Sequence, residues 1–184
     1  MSKKWFTADF HLFHHNIINY CDRPFQTTDE MHEAIIAGMN SRVGPNDLLY
    51  ILGDVSFYAH SGVCKILDRI NGKKHLIIGN HDAKKLPEAY PWETVSHYKE
   101  IKDNGQNIVL MHYPIHSWNK MNHGAIHLHG HCHGTLKSSN LGSDYQWDTN
   151  MQKFAIDVGV DCWDFKPVCL DDICIQLLKQ SRLV

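Results

Sequence analysis

The stretch LLYILGD occupies residues 48–54, and KKHLIIGNHD occupies residues 73–82. Each stretch is a short apolar run that ends at a glycine, and polar residues follow the glycine. Short runs of this kind, without alternation of apolar and polar residues, are typical of strands that are buried on both faces. The two runs therefore predict neighbouring buried strands with polar residues at their ends.

An amphipathic helix is predicted before the first of these strands. The segment TTDEMHEAIIAGMN, residues 27–40, repeats apolar residues along one helical face. Thr27 and Glu30 have the spacing of a capping box, in which each side chain bonds a free backbone amide at the helix start. We therefore expect the helix to begin near residue 27.

A second helix is predicted between the two strands. In SGVCKILDRING, residues 61–72, apolar residues recur three and four positions apart, with Ser61 as the candidate N-cap and Gly72 after the helix end. KKWFTAD, residues 3–9, reads as an earlier strand. The resulting order of strand, helix, strand, helix, strand predicts an α/β fold.

The second half of the chain is predicted to be rich in strands. VSHYKEIK at 95–102 and NIVLMHY at 107–113 flank DNGQ, a signal for a hairpin turn. Further strands are expected at 126–129 and 154–160, and the polar stretch at 134–150 is expected to be a long functional or mobile loop. We expect a sandwich of two sheets with helices outside it.

Composition limits the classes of function. With 184 residues, 43% of them hydrophobic and 21% charged, the chain is expected to form a single globular domain, 1–184. The formal charge is −2 and the basic residues are scattered, which argues against stable binding of long nucleic-acid duplexes. No apolar run approaches the roughly 20 residues of a membrane span, and the start does not resemble a signal peptide, so we expect a cytoplasmic protein. The six cysteines form no C-x-x-C pair.

Polar side chains follow each of five predicted strands. Ligands of α/β sheets bind outside the carboxyl ends of strands, so residues far apart in the sequence can meet there. Carboxylates, an amide oxygen and imidazoles are suited to borderline divalent ions, and this set is large enough for two of them. The candidate metal ligands are Asp9, His11, Asp54, Asn80, His112, His131 and His133.

Residues 127–134, HLHGHCHG, have a histidine at every second position. One interpretation is a half-buried strand with a histidine-rich face. The other is a strand end that breaks at glycine, where two neutral imidazoles converge on a metal ion. This stretch alone leaves both open.

In chain order the motifs are D-x-H, G-D, G-N-H-D, a single H and G-H-x-H. This series resembles that of the calcineurin-like metallophosphoesterases and extends from about Trp5 to His133. DFHLFHHNIINYCDRPF and DVGVDCWDFKPVCL are similar to a branch of small bacterial and phage phosphoesterases within that family. The resemblance implies a four-layer α-β-β-α fold. Val55 and Ser56 depart from many members, which have a further acidic residue after G-D, so they leave the subfamily open.

The resemblance also implies how two divalent ions are held. The first ion is expected at Asp9, His11, Asp54 and His133. The second is expected at Asp54, Asn80, His112 and His131, so that Asp54 bridges the two ions. Mn²⁺ is the expected metal, with Fe, Zn, Ni or Mg as alternatives.

A hydroxide held by both ions would attack phosphorus, which makes the chain a candidate metal-dependent phosphoric ester hydrolase. The resemblance gives His81 the role of donating a proton to the leaving oxygen, and Asp82 is the candidate that orients His81. A purely structural hydrogen bond is the alternative for His81.

The candidate substrate contacts are His14, Arg23, Tyr113 and His116, with a solvated loop or hairpin packing as the alternative. Arg23 is the only arginine near a motif, and dianionic phosphates commonly recruit arginine clamps. We therefore expect a phosphodiesterase acting on small nucleotidic or cyclic substrates, with a nucleotide or nucleic-acid end stacked on aromatic groups such as Trp118.

Other functions remain open at this point. They are a phosphomonoesterase or protein phosphatase, a non-catalytic interaction protein of the same fold, and a regulatory metal-binding module. His127 and His129 are expected to pack or to support ligands, Cys132 to be a buried thiol, and Asp161 to be a core or turn residue. Composition gives no oligomeric state.

Overall fold

The computed structural model describes residues 2–135 and 154–181, so the predicted long loop at 134–150 lies almost entirely outside the described residues. The described residues contain two four-stranded sheets. The first sheet contains β1 (Lys4–Thr7), β2 (Leu48–Ile51), β3 (Lys73–Ile77) and β4 (Thr94–Ser96), in that order. Its strands are all parallel, so their carboxyl ends lie at one edge.

The second sheet contains β5 (Tyr98–Asp103), β6 (Gln106–Met111), β7 (Ile126–His129) and β8 (Ala155–Asp157). β5 and β6 form the antiparallel hairpin expected from DNGQ, and both turn residues have positive φ, 45° at Asn104 and 86° at Gly105. Two residues with positive φ match the twist of a two-residue hairpin turn. The segment 95–102 is divided, however, because Val95 belongs to β4 and only the residues from Tyr98 onward join the second sheet.

The helices are α1 (Asn16–Tyr20), α2 (Thr28–Asn40), α3 (Ser61–Arg69), α4 (Leu86–Ala89) and α5 (Leu170–Ser181), with one-turn 3-10 helices at Met121–His123 and Val160–Cys162. α2 begins as expected, because the Thr27 side chain accepts a hydrogen bond from the backbone amide of Glu30. The expected cap of α3 is wrong: the His60 ring, and not the Ser61 side chain, accepts from the amide of Gly62.

Alternate residues of the first sheet face two different cores. Trp5 and Leu49 contact the helices in one cluster, whereas their neighbours Phe6 and Tyr50 lie between the two sheets in the other. Both faces of these strands are therefore buried, which explains why their sequences are apolar without alternation. The predicted α/β class, with a sheet sandwich flanked by helices, is confirmed.

No helix within residues 2–135 and 154–181 has the length and apolar character needed to cross a lipid bilayer.

Candidate metal centre

The seven candidate ligands meet at the carboxyl ends of the strands. The ligand atoms of six of them form two groups, in each of which all atoms lie within 4.8 Å of one another. The first group is Asp9, His11 and His133, and the second is Asp54, His112 and His131. These residues come from loops after β1, β2, β6 and β7, so the expectation that distant strand ends converge matches the geometry.

Asp54 lies between the two groups. Its Oδ2 is 3.6 Å from Nε2 of His11 in the first group, and its Oδ1 is 3.4 Å from Nε2 of His112 in its own group. Asn80 completes the second group, since its Oδ1 is 2.9 Å from the same nitrogen of His112. A carboxylate with one oxygen toward each group has the geometry of a bridging ligand.

The polar atoms of this cluster fit metal ions. Both ring nitrogens of His11 and Oδ2 of Asp54 are buried and have no hydrogen-bond partner within residues 2–135 and 154–181. Nδ1 of His112 bonds the carbonyl of Leu52 at 2.8 Å, which leaves Nε2 facing the oxygens of Asn80 and Asp54. Unpaired buried acceptors cost free energy unless a cation or a proton lies among them. The donor set of imidazole, carboxylate and amide oxygen suits borderline divalent ions.

Five of the seven candidate ligands have a left-handed backbone. Their φ values are 61° at Asp9, 51° at His11, 54° at Asp54, 70° at His131 and 47° at His133. Residues other than glycine rarely adopt this region, and such conformations cluster at functional sites, where they turn side chains toward one point. The backbone thus directs these side chains into a common space at a cost in strain.

Two glycines allow the loops to approach each other. Gly53 has φ 85°, and a Cβ atom there would lie 2.6 Å from Nδ1 of His112. A Cβ atom at Gly130 would lie 2.7 Å from Oδ2 of Asp9. Any side chain at either position would displace a candidate ligand, so the glycines are required by close contact with the site.

Burial shifts the protonation of the first group. It raises the pKa of Asp9 to about 7, against the opposing influence of His133, and lowers the pKa of His11 to about 3. A neutral His11 ring has a nitrogen lone pair free for a metal ion at neutral pH. A cation beside Asp9 would favour its ionised form and offset the cost of burial.

His133 is held by a buried ion-pair network. Its Nδ1 is 2.7 Å from Oδ2 of Asp161. Burial lowers the pKa of His133, but Asp161, Cys21 and Asp9 together outweigh it and raise this pKa to about 10. A metal ion at Nε2 therefore has to displace the proton there, while Nδ1 keeps its bond to Asp161. The interpretation of Asp161 as a plain turn residue missed this role.

Arg23 is part of the same network, and its placement corrects the expectation that it contacts substrate. Its side chain is fully buried, and Nε and Nη2 bond the two oxygens of Asp161 at 2.7 and 2.8 Å. The guanidinium also donates to the carbonyls of Asp9 and Phe10. Its donors are therefore directed at protein atoms, and Arg23 ties the Asp9 loop to Asp161.

Asp82 also differs from its expected role. Its oxygens accept hydrogen bonds from the backbone amides of Asp54, Val55 and Gly79, at 3.1, 2.7 and 2.8 Å. Asp82 therefore joins the loops after β2 and β3, and the expectation that it orients the His81 ring finds no support in these contacts. Burial raises the pKa of Asp82 to about 6, although these amides favour the charged form.

His81 lies at the edge of the ligand cluster and is partly exposed. Its backbone amide donates to Oδ1 of Asp54 at 2.8 Å. Its ring lies 5.6 Å from the ring of His11 and 4.6 Å from that of Phe57, measured between centroids. The imidazole therefore faces the site without belonging to either ligand group.

The other expected substrate contacts are divided between the site and the surface. Tyr113 is partly exposed and its ring is 4.7 Å from that of His131, and the half-buried His14 is 5.6 Å from His11. His116 is exposed. Trp118 is buried and donates to the carbonyl of Ala125, so packing, not a pocket wall, is its role.

The four histidines of residues 127–134 have different surroundings. His131 and His133 belong to different ligand groups, and His127 and His129 are buried in β7. The ring of His127 contacts the carbonyls of Val109 and Tyr113, so it packs within the second sheet as expected. Cys132 is half-buried, not fully buried.

Comparison with known proteins agrees with this geometry. The family model described as calcineurin-like phosphoesterase matches residues 3–163. The chain belongs to this family. Calcineurin-like phosphoesterases are hydrolases that use divalent metals, and the two ligand groups are where such ions fit.

Relatives of this family member occur in archaea and phages. An uncharacterized protein of Methanocaldococcus jannaschii is 32% identical over 100% of this chain and 96% of its own length. The gene 66 protein of Mycobacterium phage L5 is 31% identical, with 89% of this chain and 88% of the phage protein aligned. A solved structure of a protein of unknown function from Aquifex aeolicus has a TM-score of 0.73 at 23% identity, covering 96% of this chain and all of that one, and shares the fold.

Proposed function

We propose that this chain is a two-metal phosphodiesterase that hydrolyses small nucleotidic or cyclic phosphodiesters. The observation that carries the proposal is the pair of ligand groups joined by Asp54, with buried acceptor atoms that have no partner among the described residues. We further propose that the chain is a single domain that acts in the cytoplasm on nucleotides or nucleic-acid ends.

Asp9, His11, Asp54 and His133 would hold one divalent ion, and Asp54, Asn80, His112 and His131 the other. Mn²⁺ is the proposed metal, and Fe, Zn, Ni or Mg share its ligand preferences closely enough to be tested beside it. Bound ions of this kind polarise phosphoryl oxygens and make a water nucleophilic near neutral pH. The protein contributes an arrangement of ligands in which the left-handed backbone of five of them already turns their side chains into one space.

His81 is the proposed general acid. Its ring lies at the edge of the ligand cluster, 5.6 Å from the His11 ring between centroids, and its backbone amide donates to Asp54. The imidazole would donate a proton to the leaving oxygen as the ester bond breaks. Tyr113 and His14 lie at the edge of the cluster and are proposed substrate contacts, together with the exposed His116.

Charge favours a diester. Two divalent ions outweigh the charges of Asp9 and Asp54 only moderately, which suits a monoanionic diester better than a dianionic monoester. Arginine commonly clamps dianionic phosphates, but the guanidinium of Arg23 is occupied by Asp161 and backbone carbonyls. The burial of Arg23 thus supports the preference for diesters.

The test compares kcat/KM for a monoester and a methyl diester with the same leaving group, using protein loaded with Mn²⁺. We expect the diester to be the better substrate. A preference for the monoester would overturn the diester assignment and favour a phosphomonoesterase. A lack of turnover on both esters at full metal content would overturn the enzymatic function and favour a metal-binding interaction protein.

A further inference from the structure

Three rings form a continuous patch beside the first ligand group. The ring of His14 lies between Tyr20 and Phe57, with centroid distances of 6.1 and 4.8 Å, and both contacts are edge to face. We call His14, Tyr20 and Phe57 the aromatic rim. The rim connects to the metal centre through His11, whose ring is 5.6 Å from His14 and 6.1 Å from Phe57.

Two of the three rings of the aromatic rim are open to solvent, and His14 between them is half-buried. Tyr20 is 74% exposed and Phe57 is 38% exposed. Exposing large aromatic rings costs free energy that burial would recover, and such patches beside a site are commonly used for binding. The exposed parts of the Tyr20 and Phe57 rings are accessible to an aromatic group of a ligand.

The position of the rim relative to His81 defines which part of a substrate it would meet. Phe57 packs against the His81 ring at 4.6 Å in an edge-to-face contact. The proposed general acid must lie next to the leaving oxygen, so the group attached to that oxygen extends toward Phe57. Tyr113 lies against His131 and His112 of the second ligand group, and therefore borders the other part of the centre.

We propose that the aromatic rim binds the leaving group of the substrate and selects leaving groups that carry an aromatic ring, such as a nucleoside whose base stacks on Phe57. This inference rests on the proposed phosphodiesterase function and narrows its substrate class. Stacking on an aromatic side chain tolerates different bases, because every base has a π face. The rim therefore selects an aromatic leaving group without selecting one sequence.

Two diesters of methyl phosphate test the proposal, one with a phenol as leaving group and one with a fluoroalkyl alcohol of the same acidity. Because the two leaving groups have the same acidity, both need protonation by His81 to the same extent. The two diesters then differ in whether the leaving group carries an aromatic ring. We expect Phe57→Leu to lower kcat/KM for the phenyl diester roughly 5- to 150-fold, the range for loss of one stacking contact. The same variant should change kcat/KM for the fluoroalkyl diester by no more than about twofold, because leucine keeps an apolar contact with His81.

Tyr58 provides a matched control. It is the next residue in the chain, is 49% exposed and packs against His60. Tyr58→Leu should leave both kcat/KM values unchanged. Equal losses on the two diesters in Phe57→Leu would overturn the proposal and assign Phe57 to positioning His81, and no loss on either would overturn it as well.

A binding measurement separates this inference from the proposed function. Adenosine has no phosphate to compete for the ions, and its binding to protein loaded with diamagnetic Zn²⁺ can be followed by saturation-transfer NMR without turnover. We expect Phe57→Leu to weaken adenosine binding and Tyr58→Leu to preserve it. If adenosine binding does not depend on Phe57, the proposed role of the aromatic rim is wrong, even if diesters are hydrolysed. Binding that depends on Phe57, in a protein that hydrolyses no diester, supports the rim and overturns the proposed function.

Discussion

His81 is held differently from the seven candidate ligands, and this difference makes its role testable. The backbone N–H of His81 donates the hydrogen bond to Asp54, so His81→Ala removes the imidazole and keeps this hydrogen bond. We expect both metals to stay bound and turnover of esters with poor leaving groups to fall by roughly 10²- to 10⁴-fold, the usual contribution of a positioned acid. Elemental analysis measures the metal content, and kcat for a series of esters with different leaving groups measures the loss of turnover. A loss that is the same for good and poor leaving groups would contradict the assignment.

Asp161 acts on the metal centre through His133 and is a positioning residue. Asp161→Asn removes the charge that pairs with Arg23 and holds the His133 ring. Changes in residues that orient metal ligands typically weaken metal binding about 10- to 100-fold. We expect Asp161→Asn to weaken metal binding by this factor at the first ligand group alone. Titration with buffered Mn²⁺ measures it, with the exposed Asp171→Asn as control. Turnover should recover at saturating metal, and an unrecovered kcat would refute a positioning role.

The candidate metal ligands could be predicted from the sequence, whereas the pairing of Asp161 with Arg23 could not. The ligands follow recognisable strands in short motifs, so their types and order predicted a common site. Asp161 and Arg23 are 138 residues apart, and although each lies in a stretch that resembles the small bacterial and phage phosphoesterases, neither stretch predicts that the two side chains pair. The pairing of Arg23 with Asp161 depends on how the loop after α1 meets the turn after β8, which local patterns do not encode. The same applies to Phe57 and Tyr20, whose importance lies in ring contacts through His14.

Among the elements, those defined by local chemistry were predicted well. The start of α2 depends on Thr27 and Glu30, which are three residues apart, and the hairpin depends on two adjacent turn residues, Asn104 and Gly105. The division of 95–102 between β4 and β5 was missed, because both halves favour strand and only the register of β3 with β4 assigns Val95 to the first sheet. The cap of α3 was missed because a histidine ring replaces the usual serine.

The start of β1 depends on one carboxylate. Asp47 accepts hydrogen bonds from the amides of Lys3 and Gly44 and from Nε1 of Trp5, and although partial burial opposes it, these bonds lower the pKa of Asp47 below 3.8. We expect Asp47→Asn to lower the free energy of unfolding by about 1 kcal/mol at pH 7, a modest value because the site is near solvent.

The pH dependence of this loss follows from the sign of the shift. A lowered pKa in the folded state stabilises the protein fully above pH 3.8, the value for the unfolded chain, and this stabilisation disappears as the pH falls through the folded value. Urea unfolding at several pH values should therefore show the wild type and Asp47→Asn converging below about pH 4. A difference that is unchanged in acid would show that the carboxylate charge is not responsible.

For the whole molecule, metal binding and stability should be coupled, because the fold buries ligands that lack partners. The loops after β1 and β2 hold His11 and Asp54 in the protein interior, and the cost of burying their unpaired atoms is offset when cations bind. A ligand that binds only the folded state stabilises it by about 2.7 kcal/mol per site at 100 times its Kd. We therefore expect Mn²⁺ to raise the Tm of protein that has been stripped by chelation.

The two ligand groups can be separated in the same measurement. Asp54 faces both groups, so Asp54→Asn should lose most of the metal-induced rise in Tm and should retain less than one metal per chain. Asn80 contacts only the second group, so Asn80→Ala should lose about half of the rise and one metal. The comparison uses the rise, and not the absolute Tm, because each substitution also changes the metal-free protein. Equal rises in the two variants would mean that Asp54 serves one ion only, and the bridging arrangement would then be wrong.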